Sequence, residues 1–198
     1  MILSDRAQFE LARKLRGKTG VTITEVFTFL SGLYFRGKFA YATTFARSAR
    51  GTPGVFVITP TRGLVRATTR IHLEDLREFA AVNIQEDDLR YRLPIERDAR
   101  RLAKRLPIES EIILLGSIAT GKYVDVLLAT FGERLRFPSE FIGRGDMSRG
   151  GLMLRCAVDR QELQYVPVAG ATVKGKRPPK LTPRRYARTG AAISIFQK

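Results

Sequence analysis

The sequence predicts an α/β fold, namely a three-layer single domain with a mainly parallel central sheet of about four to five strands and a basic, extended C-terminal tail. Short apolar runs rich in β-branched or aromatic residues recur along the chain, as expected of buried strands. Segments with helical spacing of apolar residues lie between them, and this alternation is typical of the βαβ units that build parallel sheets. The runs are residues 21–30, 55–59, 111–115 and 135–137.

Helix signals separate these runs. The predicted helix at residues 4–16 has Ser4 as its N-cap, basic residues near its end and Gly17 as a stop signal. Because parallel strands end at one edge of a sheet, where α/β proteins bind ligands, we expect the loops after the strands to form one cleft. The other predicted helices are residues 36–50, 73–82, 95–106 and 122–131.

The composition is that of a globular protein, with 44% hydrophobic and 27% charged residues. No apolar run approaches the roughly 18–20 residues of a membrane span, and the first residues do not resemble a signal peptide. We therefore expect a cytoplasmic protein with no membrane partner. One cysteine and one histidine exclude a disulfide framework and a Cys/His zinc site, so we expect neither a metal nor a cofactor.

The charge points to a polyanionic partner. The chain holds 35 Lys and Arg against 19 Asp and Glu, a net charge of +16, and nucleic acid is the commonest cytoplasmic polyanion. Composition divides the chain into an α/β domain at residues 1–172 and a basic, proline-containing extension at residues 173–198. The last 25 residues hold eight basic residues and no acidic one, and an extended basic segment can follow a phosphate backbone. The tail residues expected to do so are Lys174, Lys176, Arg177, Lys180, Arg184 and Arg185.

Residues 137–151 form the most informative segment of the chain. Four glycines, two arginines, two serines and two carboxylates lie within 15 residues. Glycines let backbone N–H groups approach a ligand, and Arg and Ser donate to anionic oxygens. Ser139, Arg144 and Arg149 are the predicted phosphate ligands. Asp146 is the candidate catalytic carboxylate, with bonding to a neighbouring arginine or capping of the following helix as the structural alternative.

A second loop nearly matches a phosphate-binding P-loop. Residues 116–122 run from Gly116 and Ser117 to Lys122, between a predicted strand and a predicted helix. Tyr123 stands where that motif needs the hydroxyl of a Ser or Thr to bind Mg²⁺. No acidic residue ends the next strand to serve as a second Mg²⁺ ligand. Anion binding at the helix N-terminus and a plain glycine turn both remain open.

Two earlier loops contribute further cations to the expected cleft. Ser31, Arg36 and Lys38 follow the first apolar run, in a stretch interleaved with aromatic residues that can stack on bases. Arg62 follows the second run. Together with the later loops, these residues would line one basic cleft.

From residue 111 onward the chain resembles the C-terminal half of the uracil-DNA glycosylase-like fold. Residues 112–117 resemble that family's apolar strand and Leu-x-Gly-Ser-like turn, and residues 137–139 resemble its catalytic loop. Phe141 and Ser148 fall in the segment that follows. The resemblance implies nucleic-acid binding and, for an enzyme, chemistry on a base or nucleotide N-glycosidic bond. Phe137 replaces the family's catalytic histidine, so the family's catalytic residues are not carried over.

These observations support three functional hypotheses. The first is a nucleic-acid-binding protein, for DNA or RNA, that acts on an N-glycosidic bond if it is an enzyme. The second is a nucleotide- or phosphate-binding enzyme that uses residues 116–122. The third is a non-enzymatic ribonucleoprotein component. The sequence alone does not decide whether any reaction is catalysed.

Overall fold

The computed structural model describes residues 2–48, 51–119, 121–172 and 175–183. Helices and strands both contribute, which confirms the mixed character of the predicted fold. Among the described residues, no helix combines the length and the apolar character that crossing a bilayer requires. In chain order the elements are α1 (Glu10–Arg16), β1 (Val21–Thr22), α2 (Ile23–Phe45), β2 (Phe56–Thr59), β3 (Gly63–Arg66), β4 (Arg70–Ile71), α3 (Leu73–Ala80), α4 (Leu89–Arg105), β5 (Ile112–Ile113), α5 (Gly121–Phe131), β6 (Leu135–Pro138), α6 (Asp146–Asp159) and β7 (Tyr165–Pro167).

The prediction of a strand at residues 21–30 is wrong, because most of this run belongs to α2. Thr22 and Glu25 form a capping box: the Glu25 backbone N–H donates to Thr22 Oγ1 at 3.3 Å, and the Thr22 backbone N–H donates to a Glu25 carboxylate oxygen at 3.0 Å. Ile23 and Val26 of this run are fully enclosed, whereas Phe29 and Leu30 are exposed, so the run forms a helix with one buried face. Ser31, Arg36 and Lys38 therefore belong to this helix and not to a loop after a strand.

Gly32 divides α2 into two helical halves. Its φ of 56° and ψ of −129° lie outside the helical region, and a residue with a Cβ is strained in that conformation. The first half packs with α1 and β1 near the N-terminus, and the second half packs against α6. Because of this kink, the two halves of α2 pack against different parts of the fold.

The strands form three small sheets, whereas the sequence predicts one mainly parallel sheet of four to five strands. β1 pairs antiparallel with β4, and β2 forms an antiparallel hairpin with β3. β6 lies between β5, its parallel neighbour, and β7, its antiparallel neighbour. Among the described residues, only the β5–α5–β6 unit has the predicted βαβ form. The larger sheet is not found because the first apolar run is helical and the second turns back at once into a hairpin.

The predicted helices are found with shifted ends. The first begins at Glu10 after an N-cap at Phe9, six residues later than predicted. The helix predicted at residues 95–106 begins earlier, at Leu89, and tolerates Pro94 within its second turn. The helix predicted at residues 36–50 is the second half of α2, which ends at Phe45. The other two agree closely, as α3 ends at Ala80 and α5 covers Gly121–Phe131.

Two hydrophobic clusters form the core. One cluster surrounds α4, α5, β6 and α6 and includes Phe137, Phe141 and Met153, each at most 1% exposed. The other joins α1, β1, β4 and α3 through residues such as Leu15. α2 belongs to both, since Ile23 lies in the second cluster and Tyr41 in the first.

Candidate functional site

The site is organised by a close crossing of α2 and α6. Gly37 and Gly150 face each other there, and a Cβ added to Gly37 would overlap the Gly150 backbone. A Cβ on Gly150 would lie 2.8 Å from the Leu33 carbonyl oxygen. Only glycine permits this backbone contact, which brings the second half of α2 against the first turns of α6.

Lys38 is the unusual cation at this crossing. Its Nζ lies 3.9 Å from the centroid of the Tyr34 ring. Within the described part of the chain, Nζ makes neither an ion pair nor a hydrogen bond. Burial lowers the pKa of the Lys38 amine to about 8; Asp146 opposes this shift and Arg149 adds to it. Roughly a fifth of this amine is therefore neutral at about pH 7.4, far more than for an ordinary lysine.

Tyr34 lies beside Lys38, and Tyr123 lies near Tyr34. The Tyr34 hydroxyl is buried and makes no hydrogen bond of normal geometry to the described residues, although Arg149 is near it. Burial raises the pKa of Tyr34. The Tyr123 hydroxyl donates to the Ser117 carbonyl oxygen at 2.9 Å, and burial raises its pKa to about 12. Both phenols remain protonated at neutral pH.

Arg149 mainly holds the loop before α6. Its Nε and Nη2 donate to the Phe141 carbonyl oxygen at 3.2 and 3.1 Å, and its guanidinium lies 5.4 Å from the centroid of the Phe141 ring. Asp146 Oδ1 lies 3.8 Å from an Arg149 nitrogen, and the Asp146 side chain is 65% exposed. The carboxylate occupies the first turn of α6, where the helix dipole favours a negative charge. This geometry matches the structural alternative for Asp146.

Arg144 and Arg155 join α6 to residues 175–183. Arg144 donates to Ser148 Oγ at 3.2 Å and lies 3.5 Å from the Pro179 carbonyl oxygen. Arg155 Nη2 donates to the Thr182 carbonyl oxygen at 2.6 Å. This part of the predicted tail has neither helix nor strand and lies on the domain. Of the predicted tail residues, Lys176, Arg177 and Lys180 are described and exposed, whereas Lys174, Arg184 and Arg185 lie outside the described residues.

Gly116 and Ser117, at the start of the second predicted loop, pack against Tyr123. A Cβ on Gly116 would lie 2.6 Å from the Tyr123 hydroxyl oxygen, so Gly116 makes room for that side chain. Ser117 Oγ accepts from the Ala119 backbone N–H at 3.2 Å. The carboxylates of Asp125 and Glu86 crowd Gly121 at the start of α5. Two protein carboxylates already occupy the positive end of this helix, which disfavours a phosphate beside Lys122.

The side chains of Arg62 and Ser139 bind neighbouring carboxylates of the protein. Ser31 and Arg36 are exposed on α2. The Arg62 guanidinium contacts the carboxylates of Asp75 and Glu78, both at 2.5 Å. Ser139 Oγ donates to a Glu140 carboxylate oxygen at 3.1 Å. Arg62 is thus held against α3 and is not one of the cations beside Lys38. Its partners come from a helix that sequence spacing alone does not connect to this turn.

A cavity of about 860 Å³ lies against the second half of α2. Its walls are mostly apolar and come from α2, the β2–β3 hairpin, α4 and β5, with Lys38, Ser31 and Tyr123 among the polar residues. The sequence predicts a polar cleft at strand ends and does not predict this cavity. The reason is that its walls come from elements far apart in the chain.

A hydrogen-bonded network at the cavity wall was also not predicted. The hydroxyl oxygens of Tyr41 and Tyr165 lie 2.7 Å apart, and Tyr41 accepts from the buried Leu163 backbone N–H at 2.8 Å. Tyr165 donates to Glu162 at 3.0 Å, and Glu162 pairs with Arg47 at 2.7 Å. Residues 41 and 165 are too far apart in the chain for any sequence motif to connect them.

Comparisons of the chain with protein-family models, with curated proteins and with solved structures find no match.

Proposed function

We propose that this protein binds nucleic acid along a basic strip formed by Arg144 and Arg155 of the α6 region and by Lys176, Arg177 and Lys180 of the docked segment. The observation that carries the proposal is this docking, which holds three exposed cations along one side of the domain. Phosphates are the ligands that a row of such cations attracts, and the contact is independent of base sequence.

Specific contacts support a persistent position for the segment. Two arginines of the domain reach carbonyl oxygens of residues 179 and 182, as described above. Gly143 has a φ of 72° and packs so closely on the Lys176 carbonyl that a Cβ would overlap it. Leu181 lies against Gly151. A docked segment loses less conformational entropy on binding a polyanion than a free one does.

The charges of the strip are also unneutralised. Within the described residues, Lys176, Arg177 and Lys180 form no ion pair. Three arginines of α4, in contrast, are paired: Arg90 with Asp88 at 2.7 Å, Arg97 with Asp98 at 2.8 Å, and Arg100 with Glu96 at 2.5 Å. Three free cations concentrate positive potential near the strip, whereas the α4 arginines have carboxylates beside them.

The test is a salt series of binding measurements by fluorescence anisotropy with short DNA and RNA, single- and double-stranded. The strip variant K176Q/R177Q/K180Q is compared with a helix variant, R90Q/R97Q/R100Q, which removes the same charge from α4. We expect the slope of log affinity against log salt on duplex DNA to fall by up to about 2.7 in the strip variant, about 0.9 per phosphate contact. The helix variant should keep the slope of the unmodified chain.

Equal losses in both variants would contradict the proposal, because they would show an effect of net charge alone. Unchanged binding in the strip variant would also contradict it. A preference for RNA that persists at high salt would favour the ribonucleoprotein hypothesis over DNA binding.

The N-glycosidic activity implied by the resemblance would fall to Asp146, an exposed carboxylate in the first turn of α6, two residues after Arg144. Phe137 cannot supply acid–base chemistry and is 1% exposed. Release of free base from uracil-containing oligonucleotides, measured for the unmodified chain and for D146N, tests this activity. Base release that requires Asp146 would support it, and absence of release from the unmodified chain would leave a binding protein.

A further inference from the structure

We propose that Lys38 is a nucleophile that captures a small aldehyde or ketone with an apolar body, held in the cavity beside α2, as an imine. Lys38 is not a member of the basic strip, and the inference does not depend on the proposed function. It rests on Lys38, which lines a large, mostly apolar cavity beside α2. Its amine lies over the Tyr34 ring, with Asp146 and Arg149 as its charged neighbours.

The geometry distinguishes Lys38 from a structural lysine. A buried lysine ordinarily pairs with a carboxylate, because an unpaired charge is costly to desolvate. The Lys38 amine instead contacts the face of Tyr34, and no described carboxylate lies within ion-pair distance of it. Lys14 offers the contrast within this chain, since its amine pairs with Glu10 at 2.6 Å on the surface.

The protonation of the amine suits nucleophilic attack. With a pKa of about 8, roughly half of the Lys38 side chains are neutral at pH 8, against under about 1% for an ordinary lysine. Only the neutral amine has the lone pair that attacks a carbonyl carbon. A lysine that serves to bind phosphate would gain from keeping its charge, so this environment favours a carbonyl ligand over an anion.

The cavity suggests the shape of the ligand. Phe35, Phe39 and Phe45 line it with Lys38, and its volume of about 860 Å³ falls within the range of small-molecule sites. An aromatic or aliphatic body would bury against these rings while its carbonyl reaches the amine. Entry of such a body is driven by removal of apolar surface from water.

The step balances without a further reactant. The Lys38 nitrogen forms a bond to the carbonyl carbon, and the carbonyl π electrons move to oxygen, which takes a proton. Loss of water breaks the C–O bond, the nitrogen gives up its remaining protons as needed, and a C=N bond remains. Proton exchange with solvent supplies and removes the protons, and no oxidant or reductant takes part.

The experiment uses the full chain, benzaldehyde as the probe and cyanoborohydride to trap the imine as a benzylamine. Intact mass and peptide mapping locate the adduct. We expect Lys38 to be labelled at least about tenfold faster than Lys14 at pH 8, because far more of its amine is neutral. The ratio of labelling at Lys38 to that at Lys14 should be largest near pH 8 and fall as pH rises toward 10.5, because the Lys14 amine then becomes neutral as well.

Two variants separate a cavity site from a merely reactive amine. K38R keeps the positive charge but forms no imine, so the labelled peptide should disappear. A42F adds a ring at a residue that lines the cavity; it should slow benzaldehyde labelling of Lys38 at least about tenfold while labelling by formaldehyde stays unchanged. Circular dichroism checks that both variants fold.

Labelling of Lys38 no faster than that of Lys14 would overturn the proposal. Equal benzaldehyde labelling of the unmodified chain and of a folded A42F would overturn the assignment to the cavity. Nucleic-acid affinity, measured on K38R, should be unchanged, and this keeps the result distinct from that of the basic strip.

Discussion

At the scale of single residues, the environment of a side chain in this protein often overrides its chemical type. Arg62 and Arg149 are charged residues whose donors are taken up by the protein itself. Lys38 is a basic residue whose burial favours the neutral amine. Residue type alone predicts phosphate binding for all three, and only the neighbours of each side chain separate their roles.

Replacing Lys38 with methionine should stabilise the protein at neutral pH. The folded pKa of about 8 lies below the ordinary value of 10.5, so below pH 8 folding carries the full free-energy cost of burying a charged amine. This cost falls as pH rises from 8 to 10.5, above which the amine is neutral in both the folded and the unfolded chain. We expect K38M to raise the free energy of unfolding by about 1–2 kcal/mol at pH 7, after allowance for partial exposure and the lost contact with Tyr34. Urea unfolding at pH 7 and at pH 10.5 tests this, and a gain of equal size at both pH values would contradict it.

Tyr41 should matter more for stability than Tyr165, its hydrogen-bonded neighbour. Y41F leaves the buried Leu163 backbone N–H without its acceptor, and an unsatisfied buried group costs about 1–3 kcal/mol. Y165F leaves that hydrogen bond in place and should cost about 1 kcal/mol or less. Chemical denaturation of the two variants measures the difference, and equal losses would show that the Leu163 contact is not decisive.

At the scale of elements, α2 shows why local patterns mislead where a helix is buried. Its first run, VTITEVFTFL, has the β-branched and aromatic content of a strand. The capping signature of Thr22 and Glu25 is present in the sequence and indicates a helix start, so this correction was available without the structure. The kink at Gly32 and the crossing at Gly37 could not be predicted from the sequence, because both depend on partners far along the chain.

The α2–α6 crossing should be highly sensitive to one methyl group. In G150A the new Cβ would lie 2.8 Å from backbone atoms of Leu33 and Tyr34, which cannot move unless the helices separate. We expect a loss of about 2–3 kcal/mol in the free energy of unfolding.

The adjacent G151A is the matched control, since its Cβ would be 3.5 Å from the flexible Leu181 side chain, an ordinary contact. It should be neutral or stabilising by up to about 1 kcal/mol, because alanine favours helix. Thermal or urea unfolding of both variants tests the crossing, and similar stabilities would contradict the close contact.

At the scale of the whole molecule, the excess of basic residues is distributed unevenly. On α4 and at the β2–β3 turn, arginines are largely paired with carboxylates, whereas the docked segment carries unpaired cations. The docked segment therefore adds a group of unpaired cations near α6 to a chain whose net charge is +16.

A polyanion that binds the folded strip should stabilise the protein. At a free duplex concentration of about 100 times Kd, linkage gives about 2.7 kcal/mol, or a rise in Tm of roughly 5–10 °C for a chain of this size. The rise should vanish at high salt, be smaller in K176Q/R177Q/K180Q and persist in R90Q/R97Q/R100Q. Differential scanning fluorimetry with and without duplex DNA measures it, and a rise that is insensitive to salt would contradict electrostatic binding.

The sequence by itself determined the mixture of helices and strands, the β5–α5–β6 unit, the helix after residue 121 and the basic character of the C-terminal segment. These features follow from local periodicity and composition, which act over a few residues. Tertiary structure alone decided the division into three small sheets, the pairing of Arg62 with α3, the burial of Lys38 and the cavity beside it. Each of these depends on contacts between residues distant in the chain, and the energy of such contacts is not encoded in any short stretch of sequence.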